Sequence, residues 1–449
     1  MFHTQGRWLT GLLFQKLFSS ISNIEQLKLF RIFSVIGWMM TTVTWSAIFK
    51  KWVEWLNMSK QTWGLGSLYF VCSISVCIYI GWASCMEIFL AVLAALLSGH
   101  LFFKNLYDRK GANLRRSIIF LSLVLGIVSL FIYQSAFGIF LLPFFLHYVR
   151  VKRAKPDKKL LVGIAFYFLT YVVYYFLFKY SLSAYHLEAA ERTQVHFDLL
   201  KKISFFFAGP FPQGFSMNLL FLARSVFSQI FYVLIFVGWV LVVFKSNKDN
   251  SVAANLGFIV FILVLLALIY LPVMIAAENF PSYRTLFPFN LAVFVMVADN
   301  LLQIFRNEKI KKLFAWGMAT WLLLTAIYTF NFQYINPLKK EYKVLRDFFE
   351  VNYTPAIRSV YFIRANKFLF NAEFRTNVYR DEFGAPSTYR DWVPEPMVKQ
   401  LIFELTKNRK IGEGTSVIQF ETAELFKQAN VPMDDTALLI DMNRLFKQQ

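Results

Sequence analysis

Long apolar stretches bounded by charged residues recur through the first three quarters of this 449-residue chain. A stretch of roughly 18 or more apolar residues can cross the ~30 Å hydrocarbon core of a bilayer as one helix. The chain is therefore predicted to be an all-α, multi-pass membrane protein with about ten transmembrane helices. The predicted spans are residues 28–49, 64–81, 83–103, 117–132, 134–149, 160–180, 218–243, 253–275, 285–303 and 313–331.

The run from Ser117 to Phe145 contains no charged residue, and it is too long for one ordinary crossing. Basic residues flank it on both sides, at 104–116 and at 150–159. The positive-inside rule places both basic connections in the cytoplasm. The run between them is therefore predicted to go out and come back, with its turn near YQSAFG, residues 133–138.

The same rule places the basic residues of 245–248 and 306–312 on the cytoplasmic side. The N-terminus, the loops 181–217 and 276–284, and the tail after Phe332 then lie on the outer side. An outer N-terminus without a signal peptide is unusual. The simplest explanation is a further helix before Met1, and we therefore expect the sequence as given to begin inside the first outer loop.

The positive charge belongs to the predicted membrane part. Residues up to Phe330 include 30 Lys and Arg against 12 Asp and Glu, whereas the remainder includes 17 against 15. In a soluble protein a net charge of +20 would suggest nucleic acid, but here basic cytoplasmic loops explain it, and we expect no nucleic-acid partner. The three cysteines and the pair His186 and His196 have no metal-site spacing, so none of these five residues is predicted to bind a metal, and the sequence identifies no cofactor.

Three parts are predicted. Residues 1–27 form an outer loop with an amphipathic interfacial segment, residues 28–331 form the transmembrane helical domain, and residues 332–449 form a small soluble α/β domain on the outer side. Within the last part, residues 359–365, 415–421 and 436–443 have the pattern of strands, and residues 395–408 have helical spacing.

Polar residues at the outer ends of the spans form a candidate site, because ionisable groups at membrane depth cost a few kcal/mol or more. Four cations could bind phosphate, either Glu278 or Glu87 could act as a base or hold a metal, and three further residues could contact substrate. Glu87 is predicted about one turn inside the third span. The alternative is that each charge reaches the interface or pairs locally. The cations are Arg7, Lys179, Arg224 and Arg284, and the substrate residues are Trp8, Tyr133 and Gln134. Asp299, near the cytoplasmic end of the ninth span, is expected to face Arg306 or water.

Four sequence motifs resemble a known family. QGRWLTGLLFQKLF, LKLFRIFSVIGW, YQSAFG and ENFPSYRTLFP, within residues 5–330, are similar to the polytopic bacterial glucosyltransferases that modify O-antigen and other surface polysaccharides. These enzymes belong to the glycosyltransferase superfamily with the C-type membrane fold. The resemblance implies a multi-pass protein of the bacterial inner membrane that transfers a sugar from a polyprenyl-phosphate donor to a glycan acceptor on the outer face, with inversion.

In that family an acidic pair precedes the stretch that corresponds to Gly6, Arg7 and Trp8. Only Met1 to Gln5 precede it here, and they include no Asp or Glu. Two explanations follow from the resemblance: either the sequence as given lacks its first helix and acidic motif and could be inactive as truncated, or this member has lost the expected base.

Two other classes of function stay open. A transporter or flippase of lipid-linked oligosaccharide would also need cations for a pyrophosphate, although internal repeats would favour it and none is visible. A non-catalytic membrane scaffold could bind a partner through its α/β tail.

Overall fold

The structure is a computed structural model of the chain, and it describes residues 2–20, 27–107, 115–151, 156–190, 194, 198–217, 226–276, 281–376 and 384–448. The chain divides into two compact units, Met1–Ala326 and Ile327–Gln449. Each unit is described by itself below.

The first unit is helical. Short 3-10 helices lie at His3–Gln5, Ala83–Cys85 and Gln134–Leu141. The α-helices are α1 (Trp8–Phe18), α2 (Leu27–Trp55), α3 (Lys60–Cys72), α4 (Ile74–Gly81), α5 (Ile88–Tyr107), α6 (Arg116–Ile132), α7 (Leu142–Val151), α8 (Lys158–Ala184), α9 (Leu199–Ala208), α10 (Pro210–Phe215), α11 (Val226–Ser246), α12 (Val252–Ile269), α13 (Leu271–Ile275), α14 (Phe287–Ile304) and α15 (Glu308–Tyr328).

Each of the ten predicted spans overlaps a helix. Nine described helical runs are long and apolar enough to cross a membrane, and the predicted span 117–132 is the shorter apolar helix α6. The predicted span 64–81 is interrupted. Ser73 separates α3 from α4 because its side chain accepts a hydrogen bond from Val76 N and starts a new helix. The helices are compatible with a multi-pass membrane protein.

One face of α2 shows how the helices pack. Trp38, Trp45 and Trp52 are seven residues apart, so they lie on one face, and all three are buried. On the opposite face Met39 and Val43 are 64% and 70% exposed. A helix that buries large aromatic rings on one side and exposes apolar side chains on the other suits a bundle surrounded by lipid.

The predicted basic connections meet at one end of the unit. Tyr107 Oη, at the end of α5, donates a hydrogen bond to Asp157 Oδ1 before α8 (3.1 Å). Arg150 of α7 lies 3.7 Å from Asp299 of α14, and Asn247, after α11, lines a small cavity with residues of α7 and α14. We call this the basic end. Its location in the cytoplasm stays a prediction.

The run between the first two basic connections goes out and back, as predicted. At the end of the unit opposite the basic end, Thr10 Oγ1 contacts both Glu87, before α5, and the carbonyl oxygen of Ile132, the last residue of α6. We call this the Glu87 end. Since α6 begins at the basic end and α7 returns there with Arg150, the chain reverses between residues 132 and 142.

The prediction for Asp299 was wrong. Its side chain is 2% exposed and faces neither Arg306 nor water. Asp299 Oδ1 accepts hydrogen bonds from Ser59 N and Thr62 Oγ1, both at 2.9 Å, and Oδ2 contacts Arg150 at 3.7 Å. Asp299 therefore caps the start of α3 and joins α3, α7 and α14.

The second unit is a small α/β domain, as predicted. After the last two residues of α15 it contains a π-helical turn, Thr329–Ile335, and it has a 3-10 helix at Ser387–Tyr389. Its elements are α16 (Asn336–Asn352), β1 (Ser359–Ile363), α17 (Lys367–Phe374), α18 (Pro394–Thr406), α19 (Arg409–Gly414), β2 (Ser416–Phe420), α20 (Ala423–Gln428), β3 (Ala437–Asp441) and α21 (Met442–Lys447).

The three strands form one parallel sheet in the order β2-β1-β3, with Ser359 opposite Ser416 and Ala437. The central strand β1 is the most buried, because helices cover both of its faces. Leu345 and Phe349 of α16, Leu401 of α18 and Phe446 of α21 pack with Phe362 of β1 in the core. All three predicted strands and the predicted helix at 395–408 are confirmed to within two residues.

Candidate functional site

Glu87 lies at the centre of a polar cluster at the Glu87 end. It directly precedes α5, whose first residue is Ile88, so the prediction that it lies one turn inside a span was wrong. Its side chain is buried. Glu87 Oε1 accepts hydrogen bonds from an Arg7 guanidinium nitrogen at 3.0 Å and from Thr10 Oγ1 at 3.2 Å. A buried carboxylate is costly unless a cation and hydrogen-bond donors compensate its charge, and Arg7 and Thr10 do so here.

Arg7 connects Glu87 to the end of α6. Its Nε donates to the carbonyl oxygen of Ile132 at 2.8 Å, while its Nη2 donates to Glu87 Oε1. The guanidinium carbon lies 5.0 Å from the ring centre of Tyr133 and 5.7 Å from that of Phe2. Arg7 is thus enclosed between two rings, in the manner of a cation–π contact, and 17% of its side chain is still exposed.

A turn at Gly6 sets the direction of Arg7. Gly6 has a φ of +69°, in the left-handed region that favours glycine. Its carbonyl oxygen accepts a hydrogen bond from Tyr174 Oη at 3.0 Å. Gln134 Nε2 donates to Tyr174 Oη at 2.9 Å and to the Gln5 carbonyl oxygen at 2.8 Å. The turn is therefore anchored on α8 and on the 3-10 helix that follows α6.

Replacing Gly6 by Ala is expected to destabilise the first unit. A Cβ at this position would lie 2.2 Å from Tyr174 Oη, and the left-handed backbone adds a cost of about 1 kcal/mol or more. We expect a lower thermal unfolding temperature in detergent. The matched control is Gly64→Ala in α3, where a Cβ meets nothing within 4 Å and should leave the unfolding temperature unchanged or raise it. Equal unfolding temperatures for the two variants would contradict the tight turn.

Arg284 approaches the same region from the start of α14. Its guanidinium carbon lies 4.5 Å from the ring centre of Trp82, and its backbone carbonyl oxygen accepts a hydrogen bond from Tyr79 Oη. The positive charge of the guanidinium acts on the thiol of Cys85, two residues before Glu87. Burial raises the pKa of the Cys85 thiol, and Arg284 opposes that rise. Two arginines therefore flank the short turn that presents Glu87.

The two oxygens of the Glu87 carboxyl group differ in their hydrogen bonds. Its second oxygen, Oε2, is buried and has no hydrogen-bond partner among the residues that the structure describes. Burial raises the pKa of Glu87 above its ordinary value, while the Arg7 guanidinium opposes the rise. A buried acid with a raised pKa and one oxygen without a partner is a candidate proton acceptor.

The structure brings together five of the nine predicted site residues. Arg7, Glu87, Tyr133 and Gln134 belong to one connected cluster, and Arg284 lies near Cys85, two residues before Glu87. Trp8 is next to Arg7 in sequence, but its ring packs against Phe131, 4.9 Å between centres.

The other three predicted residues are not placed in this cluster. Lys179 lies on the exposed side of α8, with its ammonium 5.7 Å from the ring centre of Tyr175, and no described hydrogen bond or ion pair joins it to the arginines. Five residues separate Lys179 from the inward-facing Tyr174, which turns Lys179 to the outer face of the helix, and a role of Lys179 in binding phosphate stays a prediction. Arg224 and Glu278 lie outside the described residues.

Sequence reasoning missed three members of the cluster. Thr10 lies one helical turn after Arg7, so helical spacing could have placed it beside the arginine. Cys85 lies two residues before Glu87, but an isolated cysteine in apolar sequence gives no signal. Tyr174 gives none either, because it is one of several tyrosines in an apolar helix.

Among the described ranges, no group of three His, Cys, Asp or Glu side chains is arranged to hold a metal ion. The chain matches no protein-family model, no curated protein and no solved structure.

Proposed function

We propose that the protein is a multi-pass membrane glycosyltransferase that moves a sugar from a polyprenyl-phosphate donor to a surface glycan. The observation that carries the proposal is the Glu87 carboxyl, buried beside Arg7 with one oxygen unused. Sugar transfer with inversion needs a base for the acceptor hydroxyl and a cation for the departing phosphate, and both lie at the same end of an apolar helical unit.

In the proposed reaction the acceptor hydroxyl oxygen attacks C1 of the donor sugar. A new C1–O bond forms as the bond between C1 and the phosphate oxygen breaks. Polyprenyl phosphate departs with the electron pair of the broken bond, and Glu87 takes the hydroxyl proton. Arg7 and Arg284 stabilise the negative charge that develops on the phosphate, because a guanidinium matches phosphate oxygens with parallel donors.

Arg7 has a second part in this proposal. While it is bound to Glu87, it favours the ionised carboxylate and so lowers its basicity. A donor phosphate competes for the same guanidinium. Drawing Arg7 toward the phosphate frees Glu87 Oε1 and makes Glu87 a stronger base at the moment when the donor is bound.

The test uses membranes of bacterial cells that produce the protein, incubated with polyprenyl phosphate carrying radiolabelled glucose. We expect label in the polysaccharide fraction, and none above background in membranes of the same cells without the protein. Label that crosses the bilayer while it stays attached to lipid would contradict the transferase and favour a flippase. Label that stays attached to the lipid donor on the side of the bilayer to which the donor was added, with none in polysaccharide, would contradict both functions.

The pH dependence of transfer should report Glu87. The base must be ionised to accept a proton, and burial raises its pKa above the ordinary glutamate value. Transfer should therefore be constant at high pH and fall as the pH drops through the raised pKa, above the pH at which an exposed glutamate titrates. Initial rates measured across pH in the same membranes test this. A rate that stays constant down to the ordinary glutamate pKa would exclude Glu87 as the base.

A further inference from the structure

A buried glutamate fixes a loop in the second unit. Glu341 of α16 is 1% exposed, and its carboxylate accepts hydrogen bonds from Ser387 N at 2.7 Å, Thr388 N at 2.9 Å and Thr388 Oγ1 at 2.6 Å. Three donors on one buried carboxylate hold this loop firmly. The residues that follow Thr388 are therefore presented from a rigid base.

The loop lies against the carboxyl end of the sheet. The guanidinium of Arg364, the first residue after β1, donates to the carbonyl oxygen of Tyr389 at 3.5 Å. The neighbouring strand β3 ends at the same carboxyl end of the sheet, where Asn443 Oδ1 accepts a hydrogen bond from Asn366 N at 2.6 Å. In parallel sheets, ligands bind beyond the carboxyl ends of the strands, where the strand order reverses. Here that point lies between β1 and β3.

Three aromatic rings in this loop and at the start of α17 each lie beside a cation. The Lys367 ammonium lies 5.4 Å from the ring centre of Phe368 and 5.2 Å from that of Tyr389. The Arg390 guanidinium carbon lies 5.7 Å from the ring centre of Trp392. Phe368 is 70% exposed and Trp392 is 66% exposed. We call these five residues the ring row.

The charges around the ring row do not suit a phosphate. Glu421 lies 3.7 Å from Arg364, and the exposed Asp391 lies between Arg390 and Trp392, so acids accompany the cations. The backbone N–H groups at the starts of α17 and α21 are capped by Asn366 and Asp441. Hydrogen-bond donors and acceptors are thus both present beside flat, exposed rings.

This combination fits a saccharide. Sugar hydroxyls both donate and accept hydrogen bonds, so they need mixed partners of the kind found here. One face of a sugar ring carries C–H groups that pack on the negative face of an aromatic ring. Several rings in a row provide successive platforms for successive sugar units.

The geometry points to the ring row as a binding site for a glycan chain. Identifying this glycan as the acceptor rests on the proposed transferase function, whereas binding itself does not. Phe368 and Trp392 provide the platforms, Arg364, Lys367 and Arg390 donate to hydroxyls, and Glu341 holds the loop in place without touching the ligand.

The test applies the full chain, held in lipid nanodiscs, to a printed array of bacterial surface polysaccharides and their oligosaccharide fragments. We expect binding to at least one glycan. The dissociation constant for that glycan is then measured by biolayer interferometry for Phe368→Ala and Trp392→Ala, and each should bind at least about tenfold more weakly. Arg358→Ala is the matched control. Arg358 directly precedes β1, so it lies at the amino end of the sheet, and its replacement should not affect binding.

Three results would overturn the inference: wild-type protein binds no glycan on the array, the two aromatic variants bind as tightly as wild type, or Arg358→Ala weakens binding equally. The same measurement on Glu87→Gln separates the two proposals, since the glycan should still bind. Binding without transfer activity in wild-type protein contradicts only the transferase, and transfer without binding contradicts only the glycan site.

Discussion

Replacing Glu87 by Gln is expected to lower sugar transfer by about 10²–10⁴-fold, the usual contribution of a positioned general base. Gln has nearly the same shape but does not accept the proton. Burial already favours the neutral form of Glu87, so a neutral amide should be accommodated, and Arg7 keeps its hydrogen bond to the Ile132 carbonyl oxygen. Initial transfer rates and thermal unfolding of the same preparation test both expectations.

Glu308→Gln is the control for this variant. Glu308 is also paired with a cation, Lys311, but it is exposed and lies at the basic end, where Gln61 of α3 donates a hydrogen bond to it, so its replacement should leave transfer unchanged. Transfer by Glu87→Gln at the wild-type rate would remove Glu87 from the chemistry. Loss of folding in Glu87→Gln would instead identify the Arg7–Glu87 pair as structural.

Replacing Asp299 by Ala is expected to destabilise the first unit by about 3 kcal/mol, because removing one partner of a buried ion pair leaves the other uncompensated. Arg150 would lose its carboxylate, and Ser59 N and Thr62 Oγ1 would lose their acceptor. The thermal unfolding temperature in detergent should fall by roughly 5 °C.

Glu308→Ala again provides the comparison, since exposed ion pairs contribute only about 0–1 kcal/mol. If the two alanine variants unfold at the same temperature, Asp299 does not hold the three helices together. A neutral replacement, Asp299→Asn, should lie between wild type and Asp299→Ala, because it keeps one acceptor oxygen.

The sequence predicts the helices and their alternation well, for a physical reason. An apolar run long enough to cross a membrane satisfies its backbone hydrogen bonds in lipid by forming a helix. The positive charges between the runs then indicate which helix ends lie on the same side. The run 117–145 shows this most clearly: its length alone allowed one or two crossings, and the basic residues on both sides gave the correct answer. The strands of the second unit were equally predictable from short apolar runs between turns.

The site was harder to predict, because it depends on which way each helix faces. Arg7 and Glu87 are 80 residues apart, and their pairing follows from the packing of α1 against α5 and α6 rather than from any spacing. Apolar sequence on all sides of a helix gives no clear preferred face, so the sequence did not show that Lys179 lies on the outer face of α8 or that Asp299 is buried. Sequence gives the end of the unit at which a residue lies, and packing gives its neighbours.

The sheet of the second unit has an open edge on each side. In the part of the chain that the structure describes, β2 and β3 pair only with β1, which leaves their outer N–H and C=O groups available to another chain. Such edges promote aggregation when they are long and flat. Each edge strand here has only five residues, which limits the number of intermolecular bonds it can form. Because β2 and β3 are short, the sheet has little tendency to stack with other chains into fibrils. Insertions that lengthen either strand are expected to lower solubility.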